Sequence, residues 1–348
     1  MNELAEKLYE NTFRTNYNLL RNTVNSDEEA AIQAINFAEM VVKSNYNIDD
    51  EKLLEAWKIK MYAIFRIGFE HEKISIISEN NTDDWFDYHD LVGGFFWTRY
   101  ERYLYEIKHW EDKVVQTINE TTNLILKHLG NPKSELPFDK RGLVLGYVQS
   151  GKTANFTGLI NKAYDLGYKL IIVLSGLHND LRAQTQIRLE QEVVGSYIDE
   201  KGIKKGVSQI RENDQAHIIA TWTTVDHDIS STSTGMVKNV NEPSLLVVKK
   251  NKDVLEALQE QLTYHNSLYN IDVPVLVIDD EADQASVDTS NPDNDEDPKT
   301  INKLIRQILE VFKRKAYVGY TATPFANLLI DANKESEDEG QDLYPKDF

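Results

Sequence analysis

Eight residues in the middle of the chain have the types and spacing of a phosphate-binding loop. The run Gly146-Tyr147-Val148-Gln149-Ser150-Gly151-Lys152-Thr153 matches the pattern G-x-x-x-x-G-K-[ST] at every fixed position. Glycines let backbone N–H groups turn inward around an anion, and the start of a following helix adds positive potential. In this pattern we expect Lys152 to contact the β- and γ-phosphates of a nucleotide and the Thr153 hydroxyl to bind Mg²⁺.

The segments on either side suit such a loop. Residues 143–145 form a short apolar run typical of a buried strand, and residues 154–166 carry apolar side chains at helical spacing. A strand, a glycine loop and a helix in this order bring a helix N-terminus to the phosphates. The predicted nucleotide-binding residues are Gly146, Gln149, Ser150, Gly151, Lys152 and Thr153.

A second group of candidate residues follows an apolar run later in the chain, Val275-Leu276-Val277-Ile278-Asp279-Asp280-Glu281-Ala282-Asp283. Carboxylates at the end of a strand beside a phosphate loop can hold Mg²⁺ and orient water. We assign Asp280 to the metal and Glu281 to polarising the attacking water, so Glu281 and Lys152 are the predicted catalytic residues. The doubled aspartate leaves Asp279 as an alternative metal ligand. An acidic turn without a catalytic role is the simpler alternative.

Composition restricts the class of protein. The chain has 348 residues, is 41% hydrophobic and contains no cysteine, which excludes disulfides and thiolate chemistry. The N-terminus resembles no secretory signal and no apolar run reaches membrane-spanning length, so we expect a cytoplasmic protein without a membrane partner. A net charge of −19 argues against nonspecific coating of nucleic acid, although a local basic groove stays open.

The first part of the chain, residues 1–130, is predicted to be an α-helical domain. Residues 3–20, 27–42, 53–69 and 114–128 have helical periodicity, and Ser26 with Glu29 suggests a capping box. An aromatic stripe between Phe95 and Trp110 could stack bases, but such a stripe is more often the core seam of a helix bundle.

The character of the sequence changes after residue 131. Apolar runs then alternate with helical segments up to about residue 335, which predicts a parallel sheet covered on both faces. The predicted strands are residues 143–145, 170–174, 217–220, 245–248, 275–278 and 316–320. Residues 230–241 and 288–298 are predicted loops, and residues 336–348 an acidic linker or the start of a further C-terminal part.

The carboxylate segment carries a specific resemblance. Asp280-Glu281-Ala282-Asp283 resembles the DEAD motif of superfamily 2 helicases and translocases, and Thr321-Ala322-Thr323-Pro324 resembles their S/T-A-T motif. The segments around residues 180–184 and 223–224 resemble the motifs with which that superfamily meets a nucleic-acid backbone. The resemblance implies a coupling role for Thr321 and Thr323 and nucleic-acid contacts for Arg182, Gln184, Thr223 and Thr224.

The residues at the variable positions of these motifs resemble those of a narrower family, the Z1-domain family. The similar stretches are residues 146–153, 176–186, 278–284 and 319–327, within a resemblance that covers about residues 140–348. Proteins of that family are bacterial, are labelled as endonucleases and are often associated with restriction or anti-phage loci.

This resemblance implies a fold, a reaction and its partners. The fold class is α/β, with a RecA-like P-loop NTPase lobe of mainly parallel sheet preceded by the α-helical N-terminal domain. The cofactors are ATP and Mg²⁺, and the partners are DNA and other subunits or C-terminal domains of the same defence system. Motors of this superfamily need a second lobe with arginine fingers, which does not fit after Thr323, so we expect weak hydrolysis from these residues alone.

Two other readings stay open. A nuclease would need clustered carboxylates and a lysine, and Glu106-Ile107-Lys108 has the right spacing without a convincing upstream aspartate. The nuclease site of an ATP-dependent endonuclease could instead lie in a C-terminal part outside these residues. A nucleotide-gated scaffold or switch is compatible with the phosphate loop and the acidic charge. The guanine-reading N-K-x-D pattern is absent, because Asn251-Lys252-Asp253-Val254 lacks an aspartate at the fourth position.

Overall fold

The structure of the chain is a computed structural model that describes most of its residues. The described residues are 2–20, 27–46, 48, 54, 57, 61, 85–145, 151–199, 201–210, 218–230, 242–283, 298–321, 343, 347 and 348. Several predictions concern positions outside this set, namely Ser26, Gly146, Gln149, Ser150, Thr323, the loops 231–241 and 288–297, and most of residues 53–69.

The chain divides into two compact units, Met1–Ile76 and Ile77–Phe348. In the first unit, helices α1 (Asn2–Leu20) and α2 (Asp27–Tyr46) pack against each other. Tyr9 and Phe13 of α1 are buried in a core to which α2 contributes four alanines, and small side chains let two helices approach closely. The predicted helical character of this part is therefore confirmed.

The second unit is built on one parallel sheet. Within the described residues, six strands run in the order β1-β6-β5-β2-β4-β3, and every pair is parallel. The strands are β1 (Phe138–Leu145), β2 (Leu170–Ser175), β3 (Ala220–Thr221), β4 (Ser244–Lys249), β5 (Val275–Asp280) and β6 (Arg314–Thr321). The continuous apolar runs of β2, β4 and β5 fit strands that are covered on both faces.

Helices cover the two faces of the sheet. The helices of this unit are α3 (Phe95–Glu106), α4 (Asp112–His128), α5 (Lys152–Leu166), α6 (Asn179–Leu189), α7 (Lys252–Tyr269) and α8 (Pro298–Glu310). Residues of α4 and α5 share one core with β2, β5 and β6, whereas α7 and α8 share another core on the opposite face. A π-helical turn (Glu190–Val194) follows α6.

Helices α3 and α4 belong to the sheet unit, which differs from the predicted helical domain of residues 1–130. Phe96 of α3 and Leu126 of α4 lie in the core that contains Phe156 of α5. The carboxylate of Asp165, at the end of α5, accepts hydrogen bonds from the backbone N–H groups of Phe96 and Trp97 at 2.9 and 2.8 Å. The aromatic stripe is thus core, as its spacing favoured.

The end of the chain lies against β1, where the sequence predicted an acidic linker. The N–H of Leu143 donates to the carbonyl of Phe348 at 2.9 Å, and the N–H of Asp347 donates to the carbonyl of Arg141 at 3.0 Å. The Phe348 ring occupies the space beside Gly142, so a side chain at that glycine would collide with it.

Candidate nucleotide-binding site

Three strands end level with one another at the carboxyl edge of the sheet. Leu145 of β1 is paired with Thr321 of β6, and Tyr320 of β6 is paired with Asp280 of β5. The segment after β1, which contains the glycine loop, therefore begins beside the ends of β5 and β6. In parallel α/β sheets this edge is where ligands bind.

The described end of the glycine loop has the backbone that the pattern requires. Gly151 has a φ of 82° in the left-handed region, and α5 begins at the next residue, Lys152. A glycine adopts this conformation without steric cost. Lys152 and Thr153 are half-buried in the first turn of α5, where free N–H groups and the helix dipole favour an anion.

The pleat of β5 separates the two aspartates that the sequence left ambiguous. Asp280 has the parity of Leu276 and Ile278, which face the core shared with α5. Asp279 has the parity of Val275 and Val277, which face the other core. Since α5 carries Lys152 and Thr153, Asp280 is the aspartate on the side of the phosphate loop.

Charges around Asp280 agree with this placement. Burial raises the pKa of Asp280, while the Lys152 ammonium lowers it in part. Glu281 and Asp279 add smaller upward contributions to the pKa of Asp280, and Lys250 adds a smaller downward one. A half-buried carboxylate in the field of a lysine and a second carboxylate is a centre that can bind a cation once phosphates neutralise the lysine.

Asp279 has a different set of partners. It is fully buried, its Oδ1 accepts a hydrogen bond from the Lys250 ammonium at 2.9 Å, and its Oδ2 accepts one from the Tyr317 hydroxyl at 2.6 Å. Both oxygens of this carboxylate are thus engaged on the face opposite α5. The alternative of Asp279 as the metal ligand is not supported by this geometry.

Glu281 follows the strand in an unusual conformation. Its φ is 56°, a left-handed value that is uncommon for a residue other than glycine. The side chain reaches over the end of β2, because a Cβ added to Gly176 would lie 3.7 Å from Glu281 Oε2. The carboxylate is therefore at the carboxyl edge of the sheet, in the region where the predicted water-polarising role requires it.

Lys250 is a residue of this site that sequence reasoning missed. It follows β4 and is fully buried, and its ammonium also donates to the carbonyls of Asp280 and Glu281, at 2.9 and 2.7 Å. The available signal was the pair Lys249-Lys250 after an apolar run, since a lysine buried at the end of such a run has to find a partner at the same sheet edge.

The end of β6 contacts both halves of the site. The Tyr320 hydroxyl donates to Asn155 Oδ1 in the first turn of α5 at 2.9 Å, and the Tyr320 carbonyl accepts from the N–H of Ala282 at 2.9 Å. The neighbouring Thr321, predicted to couple the nucleotide to lobe movement, is fully buried at the strand end. Its predicted partner Thr323 lies outside the described residues.

Two predicted nucleic-acid contacts are structural in this fold. Arg182 is 4% exposed, and its guanidinium donates to the carbonyls of Thr224 and Val247 at 2.9 and 3.4 Å and to that of Val225. Thr223 is 1% exposed, and its hydroxyl donates to Gln186 Oε1 at 2.8 Å. The structure does not support nucleic-acid contacts for these two side chains, because their polar atoms are used inside the protein.

The other two predicted contacts remain available at the surface. Gln184 on α6 and Thr224 in the turn after β3 are exposed. Arg182 holds that turn in place from below, because it binds the carbonyls of Thr224 and Val225 and forms an ion pair with Asp228 at 3.6 Å. The predicted motif thus has a buried part, Arg182 and Thr223, and an exposed rim, Gln184 and Thr224.

The lysine and glutamate of the possible nuclease motif point to separate partners. Glu106 forms an ion pair with Arg102 at 2.8 Å, and Lys108 forms one with Glu192 at 3.6 Å. In the part of the chain that the structure describes, no group of three or more histidine, cysteine or carboxylate residues could hold a metal ion.

Within the described residues, no helix combines the length and apolarity that a membrane crossing needs.

The residues of the site fit a nucleotide with Mg²⁺. A left-handed glycine, a lysine, a threonine hydroxyl and a helix N-terminus face the same edge as Asp280 and Glu281. Mg²⁺ is usually held by one or two carboxylate or hydroxyl groups together with substrate phosphates and water, so this small donor set suits it.

Comparisons with known proteins give a family match and distant structural likenesses. No curated protein matches the sequence. The chain is similar to the Sulfolobus solfataricus SWI2/SNF2 ATPase core in complex with dsDNA, with 12% identity and a TM-score of 0.32, over 68% of this chain and 35% of that one. The chain therefore spans only 35% of the length of that structure.

The family match covers more than half of the chain. Residues 105–326 match the family described as type III restriction enzyme, res subunit. This range includes all six strands of the sheet and every predicted site residue between Gly146 and Thr323. Together with the parallel sheet and the strand-end site, the match shows that the fold is a RecA-like lobe of the helicase-like ATPases and that the chain belongs to the family of type III restriction enzyme res subunits.

Proposed function

We propose that this chain is the ATP-binding and ATP-hydrolysing motor lobe of a helicase-like DNA translocase in a bacterial restriction or anti-phage defence protein. The observation that carries the proposal is that Asp280 lies on the face of β5 that packs against α5, the helix that begins at Lys152, with Glu281 next to it in sequence. The proposed role in defence rests on the resemblance of the motif residues to those of the Z1-domain family.

Each residue has a defined part in the proposed reaction. Lys152 and the N–H groups at the start of α5 bind the phosphates, and the Thr153 hydroxyl and Asp280 hold Mg²⁺. When bound, Mg²⁺ supplies neutralisation of the charge on the β- and γ-phosphates. Glu281 orients and polarises the attacking water with its carboxylate. Thr321, next to Tyr320 and Asp280 at the strand ends, would transmit the state of the γ-phosphate.

The nucleic-acid partner would meet the exposed rim of the predicted motif. Gln184 and Thr224 are exposed at the carboxyl edge of the sheet, and short polar side chains are common phosphate contacts. Because the net charge of −19 repels nucleic acid on average, we expect binding to be confined to a local surface.

The test measures ATP hydrolysis by the protein with and without double-stranded DNA, single-stranded DNA and RNA. Glu281→Gln is the matched control, because it keeps the size of the side chain and removes its charge. Stimulation of the wild-type protein by one nucleic acid, absent from Glu281→Gln, supports the motor and identifies its track. Normal hydrolysis by Glu281→Gln contradicts the assigned role.

A nucleotide-gated scaffold is the second candidate, and two observations favour it. The chain is strongly acidic, and two of the four side chains predicted to touch nucleic acid are buried. A scaffold binds ATP with the same residues but is not stimulated by any nucleic acid. The same experiment therefore separates the two functions, and an unstimulated protein directs the search to protein partners.

A further inference from the structure

A fully buried lysine contacts the segment that carries the proposed catalytic carboxylates. Lys250, immediately after β4, is fully buried and donates to Asp279 Oδ1, the Asp280 carbonyl and the Glu281 carbonyl at 2.9, 2.9 and 2.7 Å. An ammonium group has three donors, and the described residues offer this one three acceptors. Two of these bonds are accepted by the backbone carbonyls of Asp280 and Glu281, the proposed metal ligand and the proposed water-polarising residue.

The pattern of these bonds exceeds what charge neutralisation requires. Asp279 already accepts a hydrogen bond from Tyr317 at 2.6 Å, and one ion pair with Lys250 would balance its charge. The two carbonyls belong to the turn in which Glu281 has a φ of 56°. A left-handed backbone at a residue other than glycine is strained by about 1–3 kcal/mol and persists only where its surroundings hold it.

The same turn is held from its other side by β6. The N–H of Ala282 donates to the carbonyl of Tyr320 at 2.9 Å, while the carbonyl of Glu281, in the same peptide unit, accepts from Lys250. This peptide is thus clamped between a side chain that follows β4 and the backbone of β6. The direction in which the Glu281 side chain leaves the sheet depends on that clamp.

We propose that Lys250 is a positioning residue for hydrolysis, which holds the left-handed turn at Glu281 so that its carboxylate points over the end of β2. The inference rests on the proposed role of Glu281 in ATP hydrolysis. Lys250 touches neither nucleotide nor water in this role and acts through the backbone. Its removal releases the turn, and an error of about 1 Å in a catalytic group costs about 100-fold in rate.

The test compares Lys250→Met with two other variants. Tyr317→Phe is the matched control, because it removes a hydrogen bond to the same Asp279 while the Asp280 and Glu281 carbonyls keep their bonds to Lys250. The double variant Lys250→Met/Asp279→Leu removes both members of the buried ion pair, which avoids an uncompensated charge and keeps the protein folded if Lys250→Met alone does not fold.

Two quantities are measured on each variant. Hydrogen exchange reports the protection of the Glu281 and Ala282 amides relative to peptides from β2 and β6, and steady-state assays give kcat and ATP affinity. We expect Lys250→Met and the double variant to lose turn protection and about 10- to 100-fold in kcat, with ATP affinity changed less than about threefold. We expect Tyr317→Phe to keep both near wild-type values.

The outcomes decide the inference independently of the proposed function. A double variant with wild-type protection and turnover would show that Lys250 only neutralises Asp279, and so overturns the inference. Equal losses in Tyr317→Phe would also overturn it, since they would indicate a general disturbance around Asp279. If the wild-type protein hydrolyses no ATP, the proposed function fails, while the exchange measurement still decides whether Lys250 holds the turn.

Discussion

At the scale of single residues, adjacent side chains with the same chemistry have opposite environments. Asp279 and Asp280 differ by one position, but the pleat of β5 sends the first to Lys250 and Tyr317 and the second toward Lys152. The first is part of a buried ion pair that maintains the fold. The second is free of that pair and available to a cation.

Substitution of each aspartate by asparagine should separate these roles. Asp280→Asn should leave stability nearly unchanged and reduce Mg²⁺-dependent ATP turnover by about two to three orders of magnitude, because a metal ligand is worth several kcal/mol in the transition state. Asp279→Asn leaves the Lys250 charge buried and should lower the free energy of unfolding by about 3 kcal/mol. Urea unfolding and ATPase assays check both, and an exchange of the two results would contradict the assignment.

A second buried lysine, Lys162 on α5, should make stability depend on pH. Its ammonium donates to Asn119 Oδ1 and Asn123 Oδ1 at 2.6 Å each and lies 4.1 Å from the centroid of the Trp97 ring. Burial lowers the pKa of Lys162 from its ordinary value of 10.5 to about 7, against smaller upward effects of Glu101 and Asp165.

The direction of this dependence follows from proton binding. Between the folded-state pKa of about 7 and the ordinary value of 10.5, the unfolded chain binds more protons at Lys162 than the folded chain. The free energy of unfolding should therefore rise with pH in this window, by at most about 1.4 kcal/mol per pH unit. Lys162→Met should lack this rise. Equal slopes for the two proteins in urea titrations from pH 7 to pH 10 would contradict the prediction.

At the scale of elements, contacts between helices determine where one domain ends. Gly94, the residue before α3, has no side chain that could cap this helix. The carboxylate of Asp165 on α5 accepts the hydrogen bonds of the first N–H groups of α3 instead. A Cβ at Gly94 would lie only 2.7 Å from Asp165 Oδ2, so the close approach requires a glycine. Capping from another element ties α3 to the helix that carries Lys152.

Asp165→Ala should therefore act on α3. Loss of the two hydrogen bonds at its N-terminus should cost about 1–2 kcal/mol of unfolding free energy. Glu120→Ala, an exposed substitution on α4, is the control and should change stability by less than about 0.5 kcal/mol. The measurement is thermal or urea unfolding, with hydrogen exchange of residues 95–99 as a local readout. A loss of stability without loss of protection in α3 would indicate another cause.

At the scale of the whole molecule, the two compact units should respond differently to truncation. The division falls at Met1–Ile76 and Ile77–Phe348, and α3 and α4 share their core with the sheet. Removing α3 and α4 would expose the side of α5 that carries Gly158 and Tyr164, which packs against Trp97, Ile118 and Phe96.

Two truncated chains test this division. Residues 77–348 should unfold cooperatively and bind ATP with the affinity of the full chain. Residues 131–348, cut at the boundary that helical periodicity predicted, should aggregate or lack a cooperative transition, because a large apolar surface is exposed. Calorimetry and nucleotide binding check both chains. A cooperative transition in residues 131–348 would restore the predicted boundary near residue 130.

The sequence alone determined the α/β class, the parallel sheet and the location of the glycine loop and the carboxylate strand. These features are local, because apolar runs, glycine spacing and strand-end charges are written in consecutive residues. The family comparison agrees with them over residues 105–326.

Only the tertiary structure decided which side chains serve the site and which serve the fold. Arg182 and Thr223 match a nucleic-acid motif by spacing but are buried, and Lys250 lacks any motif but holds the backbone of Asp280 and Glu281. The choice between Asp279 and Asp280 depends on the face of β5 that each occupies. The physical reason is the same throughout: burial and hydrogen-bond partners come from strands and helices far apart in the chain, and no local pattern records them.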